Sequence, residues 1–210
     1  MKNKLAILFA IIAWFAVLTQ YFLMIENRVA SIYETTIRFF SFFTILTNSL
    51  VAIYFTSSLF KKKNIYLSII SKPGTLTAIM VYITVVGLVY QTILRHIWEP
   101  KGMQMIVDEL LHSAIPILVL IFWYLYEEKK MVTYNQIPQW LIYPFTYLVY
   151  ILTRGDFSNF YPYPFVDVES LGLKRVLING TGLIVLFICI SALNIKIGKA
   201  IERRNEKASN

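Results

Sequence analysis

The chain has 210 residues, of which 57% are hydrophobic and 15% are charged, and it carries a formal net charge of +8. Together with a mean hydropathy of +0.60, this composition excludes an ordinary soluble domain of the same length. No soluble segment is large enough to form a folded basic face, so the positive charge does not indicate nucleic-acid binding. The composition predicts an all-α, polytopic membrane protein.

Six apolar stretches approach the ~20 residues that a membrane-spanning helix needs. The first is longer than the core of a typical signal peptide and lacks a small-residue cleavage site, so we expect it to remain as a span. The fifth is the weakest, because it is short and contains Pro138 and Pro144. In chain order, the predicted spans cover residues 5–25, 37–60, 76–94, 105–126, 137–152 and 176–195. We therefore expect a six-helix transmembrane domain at residues 1–196 and a basic tail at residues 197–210.

Lysine and arginine are distributed unevenly between the two sides of this predicted bundle. One side has 13 of them, in the N-terminus, the loop at residues 61–72, the loop at residues 129–130 and the tail, whereas the other side has 7. The side richer in basic residues faces the cytoplasm in most membrane proteins. The charge distribution therefore predicts that both termini are cytoplasmic and that the net charge reflects topology and attraction to anionic lipid.

The second predicted span carries small polar residues among its phenylalanines, in the stretch RFFSFFTILTN at residues 38–48. At 100° per residue, Ser41, Thr44 and Asn48 fall within about 60° of one another on a helix, and Thr47 lies beside them. A buried helix that gathers hydroxyl and amide groups on one stripe is expected to face a polar partner inside the bundle.

The third predicted span ends with Arg95 and His96, close to Trp98. Two interpretations stay open for this pair. Both residues suit the role of snorkelling anchors beside an interfacial tryptophan. They are also placed to receive the anionic head group of a lipid substrate.

The fourth predicted span contains His112 about two turns from its start. An ionisable residue at this depth is costly unless it faces the bundle interior or a wet cavity, which favours a functional role. Asp108 and Glu109 precede it by one turn, where either could orient the imidazole or favour the helix N-terminus as a negative charge. Thr44 and His112 each lie about seven residues inside the outer end of their spans, ~10 Å deep. We therefore expect the hydroxyl groups and the imidazole to meet.

The last outer loop contains the aromatic sequence YPYPF at residues 161–165. Each Tyr-Pro pair favours extended or turn backbone. This loop lies on the same predicted side as Thr44 and His112, so Tyr163 and Phe165 are candidates for contact with a substrate beneath a lid. The alternative is an aromatic belt at the membrane interface.

A hydroxyl nucleophile with a histidine base is the minimum machinery for acyl transfer. Asn48 would then donate a hydrogen bond to the oxyanion, and a membrane-buried site suits a lipid ester whose acyl chains stay in the bilayer. Two other functions stay open. The first is a non-catalytic protein that binds or transports lipid in a polar pocket, and the second is a b-type cytochrome with His96 and His112 as axial ligands.

Metal and cofactor motifs are missing from the sequence. Cys189 is the only cysteine, which excludes an intrachain disulfide and any cysteine-based metal cluster. The sequence also lacks a glycine-rich phosphate loop, a helical HExxH pair and a GxSxG elbow. We expect no metal and no cofactor, and we expect membrane lipids or a lipid ester as the binding partner.

Three motifs in this chain resemble the androgen-induced-gene family of membrane proteins, and the chain looks most like its bacterial branch. They are the stretch at residues 38–48, His112 with Pro116 after it, and Tyr163-Pro164-Phe165 in the last outer loop. The resemblance covers nearly the whole chain as a six-span plan. Animal members are threonine hydrolases that cleave fatty acid esters of hydroxy fatty acids with an intramembrane threonine and histidine. The resemblance implies His112 as the histidine, a lipid ester as the substrate and a bacterial plasma membrane as the location.

The chain departs from the family pattern around both residues. Aligned from Arg38, the family's threonine falls on Ser41, whereas aligned from Asn48 it falls nearer Thr44. We predict Thr44 as the nucleophile, with Ser41 and Thr47 as rival or supporting hydroxyls. The animal members also have an asparagine and a second histidine where this chain has Asp108 and Glu109, and Asp108 is the predicted support for the imidazole.

Overall fold

The computed structural model describes residues 1–60, 70 and 72–209, and regular secondary structure there is helical throughout. This confirms the all-α prediction. The lysines predicted to mark a cytoplasmic loop at residues 61–63 lie outside the described residues. The helices are α1 (Lys2–Glu26), α2 (Ile32–Phe39), α3 (Phe43–Ser57), α4 (Thr75–Thr92), α5 (Met103–Tyr126), α6 (Ile137–Ser158), α7 (Val168–Leu171) and α8 (Leu173–Ser209).

Four segments among the described residues are long and apolar enough to cross a membrane: α1, α4 with its extension to His96, α5, and Leu173–Ala208 of α8. The helices α2 and α3 together make a fifth if they are counted as one broken span. Several long apolar helices support a multi-pass integral membrane protein. The predicted domain boundary after residue 196 falls inside α8, which continues without a break to Ser209.

The second predicted span is not one continuous helix, and this part of the prediction is wrong. The chain bends by 73° between α2 and α3. Ser41 lies in the break, where its amide donates to the Arg38 carbonyl three residues back and its own carbonyl accepts from the Tyr147 hydroxyl at 2.8 Å. The Tyr147 hydroxyl thus occupies the carbonyl that a backbone N–H would use in a continuous helix. A new helix, α3, begins at Phe43, with Thr44 in its first turn.

Helix α5 contains one π-helical turn, Leu110–Ala114. Pro116 lies two residues after the end of this turn, and a proline in a helix interior removes one N–H donor and clashes with the carbonyl four residues earlier. That carbonyl belongs to His112. In the widened turn the Ile115 amide bonds to the Leu110 carbonyl, five residues back, so the Leu111 carbonyl is free to accept from the Asn48 side chain at 3.2 Å.

The apolar core packs α1, α3, α4 and α5 together. Ala13 and Ala16 of α1 are fully buried and let the helices approach closely. The rings of Phe9, Phe55 and Phe122 meet edge to face, with centroids 4.9–6.0 Å apart. This packing fixes α3 beside α5 and brings the start of α3 next to the π turn.

Candidate active site

A cavity of about 850 Å³ opens at one end of the bundle. It lies between the last turns of α1 and α4, the first turns of α3 and α5, and the loop at residues 162–164. Most of its wall is apolar, with contributions from Leu23, Met24, Phe39 and Ile45. Gln20, Asn27, Glu99, Lys101 and Gln104 add polar groups, and Thr44, Asp108, His112 and Tyr163 also line it. The cavity is thus largely hydrophobic with a small polar group, as in most sites for small apolar ligands.

Thr44 and His112 are in contact inside this cavity, where each is less than 10% exposed. The Thr44 Oγ1 and His112 Nε2 atoms are 3.3 Å apart. The break after α2 positions Thr44, and the π turn in α5 positions His112. The predicted meeting of a hydroxyl and the imidazole is present in the structure.

The surrounding hydrogen bonds define where the protons lie. His112 Nδ1 is 2.9 Å from the Asp108 carbonyl oxygen. A carbonyl can only accept, so in the neutral ring Nδ1 carries the hydrogen and Nε2 is the acceptor. Thr44 Oγ1 therefore donates its hydrogen to His112 Nε2. This is the arrangement a general base needs.

Asp108 and Tyr90 hold the other side of the imidazole. The Asp108 Oδ1 atom is 3.7 Å from His112 Nδ1, and the Tyr90 hydroxyl donates to Asp108 Oδ2 at 2.8 Å. The Tyr90 ring also stacks on the imidazole, with centroids 4.0 Å apart and planes inclined by 12°. Asp108 is thus placed to support His112, as predicted, and Tyr90 fixes both groups.

The Tyr163 hydroxyl touches Thr44 twice. It accepts from the Thr44 backbone amide at 3.2 Å and lies 3.3 Å from Thr44 Oγ1. Since Thr44 Oγ1 gives its hydrogen to His112, the phenol is the donor in the second contact. Tyr163 therefore occupies the uncapped N-terminus of α3, where Phe42 offers no side-chain cap.

The two rival hydroxyls point elsewhere. Ser41 Oγ donates to the Ile37 carbonyl at 2.8 Å and lies 3.3 Å from the Tyr150 hydroxyl. Thr47 Oγ1 pairs with the Tyr143 hydroxyl at 3.2 Å. Of the three candidates, which all lie in the described part of the chain, Thr44 is the one that contacts His112 and lines the cavity.

Asn48 does not present its amide to the cavity, contrary to the predicted oxyanion role. Both Nδ2 hydrogens are used, one on the Thr44 carbonyl at 2.9 Å and one on the Leu111 carbonyl at 3.2 Å. These bonds tie the first turn of α3 to the π turn of α5. Asn48 supports the Thr44–His112 geometry through the backbone and leaves the oxyanion donor to another residue.

Arg95 and His96 lie outside the cavity wall and are exposed. Arg95 pairs with Glu109 and donates to the Gln91 side chain at 2.7 Å. Glu109 therefore faces Arg95 and Ser113 rather than the imidazole. Two axial haem ligands must face the same cavity. His112 lines the large cavity and His96 does not, so this pair does not meet that requirement.

The loop that carries Tyr163 is fastened at several points. Phe165 stacks on Tyr163 with ring centroids 5.1 Å apart, and its carbonyl accepts from Asn179 of α8 at 2.9 Å. Phe165 lines a second, apolar cavity of about 70 Å³, which Thr44 and Tyr163 also border. Beyond it, Asp167 caps α7, and the Ser170 hydroxyl bonded to Asp167 lowers the pKa of that carboxyl group.

Three features of the site were not predicted from the sequence. They are the contacts of Tyr90, the Asn48–Leu111 hydrogen bond and the hydrogen bonds between the Tyr163 hydroxyl and Thr44. Tyr90 lies in an apolar run of α4, where a tyrosine usually signals an interfacial residue. The one available signal was its depth, because Tyr90 lies near the same end of the bundle as Arg95 and His96. Its rotation toward His112 depends on how α4 packs against the π turn, and that is a tertiary property.

Comparison of the chain with protein-family models, with curated proteins and with solved structures finds no match. Over its described residues, the structure defines the class as a helical protein with several helices long and apolar enough to cross a membrane. Within the described residues, its most distinctive feature is a buried Thr–His–Asp arrangement that faces a largely apolar cavity.

Proposed function

We propose that this protein is an intramembrane hydrolase of lipid esters, with Thr44 as the nucleophile and His112 as the general base. The observation that carries the proposal is the Thr44 Oγ1–His112 Nε2 hydrogen bond inside the cavity, 3.3 Å long and oriented with the histidine as acceptor. Activation by an adjacent base is what a threonine hydroxyl requires to attack an acyl carbon. The resemblance to the androgen-induced-gene family implies the same histidine, and its threonine falls nearer Thr44 when the motif is aligned from Asn48.

In the proposed reaction, Thr44 Oγ1 forms a bond to the ester carbonyl carbon while its proton passes to His112 Nε2. The tetrahedral intermediate collapses when the bond to the alcohol oxygen breaks, and the alcohol takes the proton from His112. Water then attacks the acyl-threonine by the same route and releases the fatty acid. Asp108, 3.7 Å from Nδ1, stabilises the imidazolium that forms in each half-reaction.

The cavity supports a lipid as the substrate. Its volume of about 850 Å³ lies in the upper part of the range for sites that bury small molecules. The apolar wall suits alkyl chains, and the polar residues near the opening suit the hydrated part of an amphiphile. We infer a lipid ester rather than a water-soluble ester, because the site lies within helices that are apolar enough to cross a membrane.

The proposal includes six spans with both termini in the cytoplasm of a bacterial cell. The pair α2 and α3 forms one broken span, and α6, with 22 residues, is about 33 Å long and therefore long enough for another. Irregular backbone at membrane depth is tolerated where it lines a cavity. The break at Ser41 satisfies that condition, because the cavity wall includes Phe39 and Phe42 on either side of it.

The test is labelling with a long-chain alkyl fluorophosphonate, which forms a phosphonate ester with an activated hydroxyl and releases fluoride. Mass spectrometry of the wild-type protein should locate the adduct on Thr44. The Thr44→Ala variant should not be labelled, whereas Thr44→Ser should keep labelling because it keeps the nucleophilic oxygen. Ser41→Ala and Thr47→Ala are matched controls, since each removes a neighbouring hydroxyl that does not touch His112.

A non-catalytic lipid carrier with the same cavity would give a different result. It would co-purify with lipid, yet it would carry no adduct on any hydroxyl and would not hydrolyse esters. Undiminished labelling of Thr44→Ala would contradict the assignment of the nucleophile, and the position of the adduct would identify the true one.

A further inference from the structure

We infer that the Tyr163 hydroxyl is the oxyanion donor of this site, an inference that rests on the proposed hydrolysis. The starting observation is that the reaction needs such a donor and that Asn48 does not supply it, because both of its amide hydrogens bond to backbone carbonyls. A preorganised donor aimed at the developing negative charge is usually the largest single contribution to acyl transfer.

Tyr163 has the position that the role demands. Its Oη atom is 3.3 Å from Thr44 Oγ1, and both residues line the cavity that would hold the ester. In the tetrahedral intermediate the oxyanion is bonded to the same carbon as Thr44 Oγ1. A donor at hydrogen-bond distance from the attacking oxygen is therefore within reach of the oxyanion after a rotation of its O–H bond.

The backbone around Thr44 strengthens this donor. The phenol oxygen accepts the Thr44 amide hydrogen at 3.2 Å, and hydrogen bonds in a chain polarise one another. That amide belongs to the first turn of α3, which has no side-chain cap. The positive end of the helix dipole thus faces the phenol oxygen. Both effects therefore help the Tyr163 hydroxyl to stabilise the negative charge of an oxyanion that accepts its hydrogen bond.

Packing holds the ring so that the hydroxyl does not need to be ordered during the reaction. Phe165 stacks on one face with planes inclined by 5°, and Phe42 meets the ring edge to face at 5.8 Å. Asn179 anchors the loop to α8 through the Phe165 carbonyl. A fixed donor loses little entropy when charge develops, which is the condition for effective electrostatic stabilisation.

The proton balance is simple because Tyr163 keeps its proton. Before attack, the phenol donates to Thr44 Oγ1, and Thr44 donates to His112. As the Thr44 proton passes to His112 Nε2 and the carbon–oxygen bond forms, the Tyr163 O–H turns from Thr44 Oγ1 to the oxyanion. When the intermediate collapses, the carbonyl re-forms and the phenol returns to its first partner.

The experiment compares Tyr163→Phe with Tyr82→Phe in the full-length protein. Tyr82 is a matched control, because it is also buried, its hydroxyl donates to the Trp140 carbonyl at 2.6 Å, and it lines neither cavity described above. With a long-chain p-nitrophenyl ester, Tyr163→Phe should lower kcat by about 10²-fold and leave KM within about twofold. Tyr82→Phe should retain wild-type kcat per folded molecule.

A second readout separates stabilisation of the tetrahedral adduct from binding of the alkyl chain. A long-chain trifluoromethyl ketone adds to the nucleophile and carries an oxyanion, whereas the matching ether does neither. Tyr163→Phe should weaken ketone binding by about the same factor as kcat and leave ether binding unchanged. Unchanged ketone affinity, or unchanged kcat, would overturn the role of Tyr163 while the hydrolase proposal stands.

Two further outcomes complete the test. If Tyr163→Phe does not fold, 3-fluorotyrosine at position 163 keeps the ring and makes the hydroxyl a stronger donor. Tighter ketone binding then supports the role, and unchanged binding contradicts it. A wild-type protein that shows neither ester turnover nor an adduct on Thr44 would overturn the hydrolase proposal, and the role of Tyr163 would fall with it.

Discussion

Two buried polar clusters lie at opposite ends of helices α4 and α5, and they differ in what they face. The cavity cluster consists of Thr44, Tyr90, Asp108, His112 and Tyr163, and all five line the large cavity. The closed cluster consists of Thr77, Trp123, Glu127 and Lys129. None of these four residues lines one of the two cavities next to Thr44.

In the closed cluster, each polar group serves a helix end. Glu127 accepts from the Thr77 amide and hydroxyl, both at 2.9 Å, and so caps the start of α4. The Trp123 indole donates to the Thr77 hydroxyl at 2.9 Å. Lys129 Nζ donates to the carbonyls of Trp123 and Tyr124 at the end of α5. The bonds to the Thr77 amide and to the two carbonyls satisfy backbone groups that a helix terminus leaves without partners.

The comparison shows that burial of polar residues in a membrane protein does not by itself mark a site. Both clusters contain a carboxylate, a threonine hydroxyl and an aromatic donor, and Asp108 is buried whereas Glu127 is half-buried. The difference is that the Thr44 hydroxyl is bonded to a base and borders empty space, whereas the Thr77 hydroxyl lies between two structural partners. Function is expected where a reactive group combines such a base with an open cavity.

The largest expected effect comes from exchanging the carboxylate of the cavity cluster for its amide. Asp108→Asn keeps the shape and still accepts from Tyr90, but it removes the negative charge 3.7 Å from His112 Nδ1. The imidazolium formed during attack then loses its counter-charge, so kcat for ester hydrolysis should fall by about 10²-fold. The unfolding temperature should change little. Wild-type turnover in this variant would contradict the supporting role of Asp108.

The matching exchange in the closed cluster should have the opposite pattern. Glu127→Gln removes the negative charge that caps α4. It also replaces one carboxylate oxygen, which accepts hydrogen bonds, by an amide NH2 group, which donates them. The expected cost is about 1–3 kcal/mol of unfolding free energy, visible as a lower midpoint in thermal denaturation of the purified protein. Turnover per folded molecule should stay at the wild-type level. A variant with normal stability and reduced turnover would contradict the division between the two clusters.

The sequence predicted how deep Thr44 and His112 lie along their helices, but it did not predict the direction in which the side chains of the cavity cluster point about the helix axes. Depth follows from the 1.5 Å rise per residue and the ends of apolar runs, which is why Thr44 and His112 were placed at one level. The break at Ser41 and the π turn before Pro116 rotate side chains about the helix axes. The break at Ser41 involves a tertiary partner, the Tyr147 hydroxyl, and the π turn leaves the Leu111 carbonyl to another, the Asn48 amide. The prediction that Ser41, Thr44 and Asn48 share one stripe of a helix is wrong, because the break at Ser41 interrupts that helix.

The same limit explains the residues that changed roles. Asn48 was predicted to face the oxyanion, but the π turn leaves the Leu111 carbonyl free, and this carbonyl attracts the amide instead. Tyr163 was predicted as a substrate contact from its place in an aromatic loop, and the structure adds its two bonds to Thr44. A sequence pattern identifies residues that are near each other more readily than the atoms that meet.

The smallest expected effect tests how closely the cavity cluster depends on the π turn. A Cβ atom added at Gly87 of α4 would lie 3.1 Å from the His112 carbonyl oxygen and 3.5 Å from the Pro116 ring. Gly87→Ala should therefore push the turn away by a few tenths of an ångström. The gain in helix propensity, about 1 kcal/mol, is offset by overpacking of about 1–3 kcal/mol.

The matched control is Gly182→Ala in α8, where an added Cβ meets nothing within 4 Å. This variant should gain stability from helix propensity alone and keep wild-type turnover. Gly87→Ala should lower ester turnover several-fold, because the 3.3 Å contact between Thr44 and His112 lengthens when the π turn moves. Equal turnover in the two variants would mean that the imidazole is held by Asp108 and Tyr90 independently of the backbone turn.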